Sequence, residues 1–282
     1  GFGNNLFQFV YAKLLAERIG AKIYILSPIT DYFGIDCLDL LVADDTYENV
    51  SVYFSNKIFE NGLPLKQVTT EQQAKSELEN PSKCNYLLNG YFEDYTLYGT
   101  HLEKIRSWFI RPDVIDKENA VLHLRLGDRL FIPATYKEEA FLTFEKYKRG
   151  LDQMNFNKLY IISDLPEWRQ FKHDELLQYR YHVKVQENTL EMSAKAANYV
   201  NELVEKFSNS YKINFCNGNL SSDFYRIMSY DKIIFGYSTF AWWAAALSNA
   251  SKVGVFGPWR AMKKTGNKNL GQTNYPGWFQ WS

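Results

Sequence analysis

The sequence predicts an α/β fold with a mostly parallel sheet, and three observations predict it. Short apolar runs alternate with amphipathic, helix-length segments along the 282 residues. A helix in each strand-to-strand connection makes neighbouring strands parallel. Several apolar runs stop at Gly, Ser or Asp beside a helix start, as at Leu126-Gly127-Asp128, Ser163-Asp164 and Gly236-Tyr237-Ser238. Open α/β sheets gather ligand-binding groups at that carboxyl edge. With 46% apolar residues, the chain can fill the core of one large or two medium domains.

The elements follow in order. Asn4 or Asn5 is placed to cap a helix that runs to Ile19, with Leu6, Phe7, Val10 and Leu14 on one face and Gly20 as its stop. Lys22–Leu26 reads as a strand. The stretch 28–80 is mixed, with a helix near Glu71–Leu78. Tyr86–Leu88 is a strand leading into Gly90-Tyr91-Phe92-Glu93-Asp94-Tyr95, and a helix is predicted over Leu97–Phe109, ended by Pro112. The polar run Arg111–Asn119 is the best boundary, dividing the chain into domains 1–117 and 118–282. Beyond it the pattern predicts strands at 120–126, 158–163, 181–185, 211–215, 232–236 and 252–256. The helices between them are expected at 137–153, 165–177, 188–207, 221–230 and 238–248.

Composition excludes some classes. Lys plus Arg and Asp plus Glu are equal at 32 each, so no global field favours nucleic acid or an anionic membrane. Cys37, Cys84 and Cys216 are odd in number and widely spaced, with neither disulfide nor metal spacing; a reducing, cytoplasmic setting is the simpler inference. No charged residue lies between Lys232 and Lys252, yet Gly236, Ser238, Thr239 and Asn249 break that interval into strand, turn and helix rather than a membrane span. There is no signal peptide, and the start at Gly1 without Met reads as an excerpt, trimmed or one domain of a longer polypeptide. The 17% aromatic content suits sugar handling and an ordinary aromatic core alike.

Several segments can carry chemistry. If the strand lasts through residue 125, His123 and Arg125 share a face, with Asp128 just beyond the turn permitted by Gly127. Arg125 can grip a phosphate with its fork, His123 can donate to a phosphate or ribose oxygen, and Asp128 can orient Arg125 or accept a hydroxyl proton. A solvated edge strand is the alternative. Gly1-Phe2-Gly3-Asn4 is an anion-binding helix start or only a turn. Ser163 and Asp164 read as helix caps or as ligand contacts, and Asp223 as a dipole-favoured first-turn carboxylate or a reader of the guanine N1–H and amine. Ser238 and Thr239 open a helix and can hold an anion without metal. Trp242 and Trp243 more simply pack that helix on the sheet. No Walker A loop, paired-Asp metal motif, zinc spacing or hydrolase elbow is present in the sequence.

In order, these segments resemble the α-1,2-fucosyltransferases of glycosyltransferase family 11 and the wider GDP-fucose-using superfamily. The family's opening Gly-Gly-x-Gly-Asn-x-x-Phe-Gln loop looks like Gly1-Phe2-Gly3-Asn4-Asn5-Leu6-Phe7-Gln8. Its Gly-Tyr-aromatic-Gln segment is similar to Gly90-Tyr91-Phe92-Glu93, and its His-x-Arg-Arg-x-Asp hallmark to His123-Leu124-Arg125-Leu126-Gly127-Asp128. The Ser-Asp-Asp strand end resembles Ser163-Asp164-Leu165. The closing signature resembles Asp223, Met228-Ser229 and Tyr237-Ser238-Thr239-Phe240-Ala241-Trp242-Trp243.

The resemblance implies a GT-B-like fold of two Rossmann-type domains facing across a cleft, with the first N-terminal strand missing and the acceptor side in the N-terminal domain. It implies an inverting, metal-independent transfer with no cofactor beyond a GDP-sugar donor. By the same resemblance Arg125 holds the β-phosphate with help from His123, Asp223 reads guanine, Ser238 and Thr239 bind the pyrophosphate, and Gly3 and Asn4 lie beside the donor. Ser163 and Asp164 join the donor-binding set. Three positions depart from the pattern: Leu126 for the second Arg, Leu165 for the second Asp and Tyr237 for Asn.

The reading of the sequence is therefore a glycosyltransferase that moves a deoxyhexose, with L-fucose leading, to a glycan hydroxyl. Asp128 is the first choice for the base and Glu93 the second. Another donor such as rhamnose, or an inactive glycan- or nucleotide-binding module, are the alternatives. The expected partners are the nucleotide-sugar and a glycan acceptor, with no nucleic acid and no transmembrane segment. The loops within 28–80 and the tail with Trp278 and Trp281 are expected to shape the acceptor site.

Overall fold

The computed structural model describes residues 2–26, 47–50, 62–131, 141–176, 189–257 and 275–281. The expected strand 181–185 and Cys37 lie outside them. Contacts divide the chain into two units. The first takes the chain up to Arg111 together with Tyr275 and Pro276; the second takes Pro112 onward and the final stretch from Gly277. The first division falls earlier than the expected boundary at 117/118, and the second returns the chain to a unit it had left.

In the first unit, helix α1 (Phe2–Ile19) is buried round much of its circumference, with Leu6, Phe7, Val10, Tyr11, Leu14 and Leu15 in the core. It starts ahead of the predicted caps, so Asn4 and Asn5 lie inside the helix. Its end is as read: Gly20 adopts φ 66°, and the Ala21 amide donates back to the Ala16 carbonyl at 2.9 Å, a left-handed glycine stop. Strand β1 (Ile23–Leu26) pairs in parallel with β2 (Tyr47–Val50), and β3 (Leu65–Val68) with β4 (Asn85–Leu88). Between β3 and β4 runs α2 (Glu71–Glu79), opened by a capping box in which the Thr70 hydroxyl accepts from the Gln73 amide and the Gln73 side chain reaches back to the Thr70 amide. The single helix predicted over Leu97–Phe109 is instead two short 3-10 turns, Tyr95–Leu97 and Gly99–His101, followed by α3 (Leu102–Ser107). Gly99 lies against the Tyr95 ring and is a poor helix former, which breaks the run.

The second unit is a six-stranded parallel sheet flanked by helices. Its strands are β5 (Asp116–Leu124), β6 (Leu159–Ser163), β7 (Ile213–Cys216), β8 (Tyr230–Phe235), β9 (Lys252–Phe256) and β10 (Phe279–Trp281), in the spatial order β10-β9-β8-β5-β6-β7. Alternation along the strands assigns the faces. Ala120, Leu122, Leu124, Ile161 and Ile234 join one apolar cluster with Phe144, Tyr147 and Leu151 of α4 (Phe144–Leu151) and Ala196, Val200 and Phe207 of α5 (Thr189–Ser210). Val121, His123, Ile233 and Phe235 alternate with these. On that side lie α6 (Leu220–Met228) and α7 (Thr239–Leu247): the ring of Phe240 meets His123 at 5.4 Å and Phe224 at 5.3 Å.

Trp242 and Trp243 are fully buried, so they pack the helix as the simpler reading held. The uncharged interval after Lys232 resolves into β8, a turn, α7 and β9. Among the described residues no helix is long and apolar enough to cross a membrane.

No α-helix forms over 165–176, where one was predicted to continue to 177; only Glu175 and Leu176 enter a 3-10 turn. Pro166 follows Leu165, and asparagine side chains satisfy the backbone instead. Asn217 Nδ2 donates to the carbonyls of Leu165 and Pro166 at 2.9 Å each. Asn201 pairs with both the amide (2.7 Å) and the carbonyl (2.9 Å) of Phe171.

Candidate functional site

Counted from β5, the second unit's strands follow the doubly wound order 3-2-1-4-5-6. The connections leave β5 and β8 in opposite directions, so a crevice opens beyond the carboxyl ends of these two neighbours. Their ends are Arg125-Leu126-Gly127 and Gly236-Tyr237-Ser238, and a small open recess lies there. Arg125, Arg129, Tyr147, Gly236, Tyr237 and Ser238 line it.

The strand does not last to Arg125. β5 ends at Leu124, so the alternation that would have placed His123 and Arg125 on one face stops one residue short. Arg125 lines the recess together with Tyr147 of α4. His123 is not part of the lining: 7% exposed, it lies against Phe240 on the α7 side, and its Nδ1 has no hydrogen-bond partner. Burial, aided by the charges of Arg125 and Arg129, holds its pKa down at about 3. Burial thus favours the neutral ring, which brings no positive charge to the turn.

Past β5 the backbone turns through a 3-10 segment, Gly127–Phe131, in which the Leu130 amide donates to the Leu126 carbonyl at 3.1 Å. Asp164 braces that turn from the end of β6. Its Oδ1 accepts from the Leu126 amide at 2.8 Å, and a Cβ on Gly127 would fall 2.1 Å from its Oδ2. Ser163 beside it is buried and accepts from the Leu165 amide at 3.3 Å. Gly127→Ala is accordingly expected to push Asp164 off the Leu126 amide and to cost about 1.5–3 kcal/mol, the range for a hydrogen bond to a charged group. A shifted midpoint in urea unfolding checks this, and an unchanged midpoint contradicts it. The backbone of Asp128 lies in this turn; its side chain is outside the described residues.

Asp223 does not begin its helix. Asn219 caps α6, accepting from the Ser222 amide at 2.8 Å, and Asp223 lies in the helix's first turn, as read, buried, with Oδ1 accepting from the Gly218 amide at 3.1 Å. Burial raises its pKa, while the Gly218 bond and Arg226 oppose the rise. Ser238 caps α7, accepting from the Ala241 amide at 3.2 Å, and Thr239 is the first helical residue; both are buried. Gly3 is buried and Asn4 half-buried in the first turn of α1, both inside the helix rather than in a loop before it.

Glu93 belongs to the first unit, on a loop that buried groups hold in place. Phe92 before it has φ 53°, a left-handed conformation unfavourable for so bulky a residue. Its ring is fully buried and stacked on Tyr11 at 4.6 Å. The Tyr98 hydroxyl donates to the Phe92 carbonyl at 2.6 Å, and Gln8 Nε2 donates to the Gly90 carbonyl at 2.7 Å. Burial, and then the negative charge of Glu71 at the start of α2, push the Glu93 carboxyl up to about 7.

The sequence reading passed over Arg129 and Tyr147. Arg129 had a signal: it stands four residues after Arg125, across a turn opened by Gly127. Tyr147 had none, because nothing in the sequence says that this position of α4 borders the recess. No family model matches the chain, and neither a curated protein nor a solved structure matches it.

Proposed function

We propose that the chain is an inverting, metal-independent glycosyltransferase that moves a deoxyhexose, foremost L-fucose from GDP-fucose, to a glycan hydroxyl. A GT-B-like pair of α/β domains is part of this proposal. The observation that carries it is Arg125 in the recess at the switch point of a doubly wound sheet, where such folds take nucleotides. The ordered set of segments resembling family 11 supplies the choice of donor.

The acceptor oxygen attacks the anomeric carbon, and the bond from that carbon to the β-phosphate oxygen breaks with its electron pair. Arg125 stabilises the charge that gathers on the departing diphosphate. A carboxylate takes the acceptor proton. Asp128 is the candidate nearest Arg125 in sequence. Glu93 is supported by its surroundings, since a carboxyl titrating near 7 is suited to accept a proton at neutral pH. Asp223 would meet the guanine edge, and Ser238 and Thr239 the diphosphate at the start of α7.

Isothermal titration with GDP, UDP and dTDP tests the donor class. GDP is expected to bind at least about tenfold more tightly than the other two. GDP-fucose should then be turned over with excess EDTA present. Preference for dTDP would move the reading to another deoxyhexose donor, and binding without any turnover would make the chain a nucleotide-binding module.

A further inference from the structure

The Gly90–Glu93 loop is held in a conformation that its residues do not favour. Phe92, with φ 53°, sits in the left-handed region that a bulky side chain avoids. Such a conformation persists only where its surroundings over-determine it. Three parts of the first unit do so. From α1, the Tyr11 ring stacks on Phe92 at 4.6 Å, and Gln8 Nε2 donates to the Gly90 carbonyl at 2.7 Å. Just past β3 the backbone closes on the loop, since a Cβ on Gly90 would fall 2.8 Å from the Thr69 carbonyl oxygen and 2.9 Å from the Phe92 ring. The third part is Tyr98, whose hydroxyl donates to the Phe92 carbonyl at 2.6 Å.

Tyr98 is itself fixed. It is fully buried, its ring lies 5.6 Å from that of Phe7, and its hydroxyl oxygen is also 3.2 Å from the Phe7 carbonyl. Its amide donates to the Tyr95 carbonyl at 2.9 Å and so closes the 3-10 turn that Asp94 caps through the Thr96 amide at 2.8 Å. The carbonyl that Tyr98 grips belongs to the peptide unit joining Phe92 to Glu93. That unit is planar, so holding its oxygen sets the direction in which the Glu93 Cα leaves it. Glu93 is half-buried, and part of it therefore meets solvent.

We infer that Tyr98 is a positioning residue for Glu93: its hydroxyl, by holding the peptide between Phe92 and Glu93, sets where the carboxylate stands when it takes the acceptor proton. Gln8 steadies the other end of the same loop. The inference rests on the proposed function, with Glu93 as the base, and adds to it two residues that touch neither substrate nor the reacting atoms.

The test joins the kinetics of GDP-fucose transfer to hydrogen exchange of the full chain, in wild type, Tyr98→Phe, Glu93→Gln and the double variant. Phenylalanine keeps the ring and removes only the oxygen, and thermal melts establish that each variant is folded. Tyr98→Phe is expected to lower kcat about tenfold to a hundredfold, the cost of misplacing a reacting group, with both KM values changed by less than about threefold. In the Glu93→Gln background the same substitution should change kcat by less than about twofold, because residues that act as one unit do not add. Amide exchange over Gly90–Asp94 should quicken about tenfold or more in Tyr98→Phe. Where Tyr98→Phe does not fold, Gln8→Ala frees the loop at Gly90 and is expected to show the same non-additivity with Glu93→Gln. Equal losses of kcat in both backgrounds make Tyr98 a part of general packing and overturn the inference, as does unchanged exchange. If Tyr98→Phe keeps kcat while Glu93→Gln loses it, the inference falls and Glu93 stands as the base. If Glu93→Gln turns over like wild type, or wild type shows no transfer, that reading falls and takes the role of Tyr98 with it.

Discussion

Arg125→Ala is expected to lower kcat for sugar transfer by about 10²–10³-fold, or roughly 3–4 kcal/mol of transition-state stabilisation, with a smaller change in KM. The asymmetry follows from where charge develops. The donor already carries diphosphate charge when it binds, but an extra negative charge appears on the β-phosphate oxygen only as the glycosidic bond breaks. Arg125 is half-buried in the recess, so its charge acts on the leaving group through a medium that screens less than bulk water. Steady-state kinetics with GDP-fucose and a glycan acceptor measure both parameters. Turnover near the wild-type rate would remove Arg125 from the reaction.

Glu93→Gln is expected to reduce kcat by about 10²–10⁴-fold and to abolish the acidic limb of the pH–rate profile. The wild-type limb should have its midpoint near 7, since the proton-accepting form is the carboxylate and the carboxyl is held up to about 7. Stability gives an independent readout with a definite sign. The folded carboxyl keeps its proton to higher pH than the ordinary 4.5 of the unfolded chain, so the folded state binds more protons in that window. Wild-type stability from this group therefore declines as pH rises from about 4.5 to about 7, and glutamine removes the decline. A variant that loses the pH-dependent melting but keeps its turnover would show the carboxyl to be buried but idle, leaving Asp128 as the base.

The repeating α/β pattern was legible because periodicity is local. Gly20, the strands 159–163 and 252–256, and the division of the uncharged run into β8, α7 and β9 all announce themselves in a few residues. The failures share a different cause. The helix predicted over 165–177 was lost to Asn201 and Asn217, whose side chains take up its backbone groups from far along the chain. Asp164 looked like the cap of that helix and instead holds the Leu126 amide. β10 was missed because its register against β9 is set by the sheet edge it joins and not by its own three residues. At the site, Arg125 was legible from its place after an apolar run. Its separation from His123 was not, because it depends on where one strand stops.

The path of the chain bears on how it can be made and cut. Tyr275 and Pro276 belong with the first unit, and only afterwards does Phe279–Trp281 complete the sheet of the second, with Trp281 against Gly150 of α4. During vectorial synthesis neither half has all its parts until this last stretch has emerged, so the usual order of N-terminal half first is denied to it. For the same reason no single scission of the polypeptide yields two whole pieces: severing it after Arg111 strands one segment of the first half on the wrong fragment.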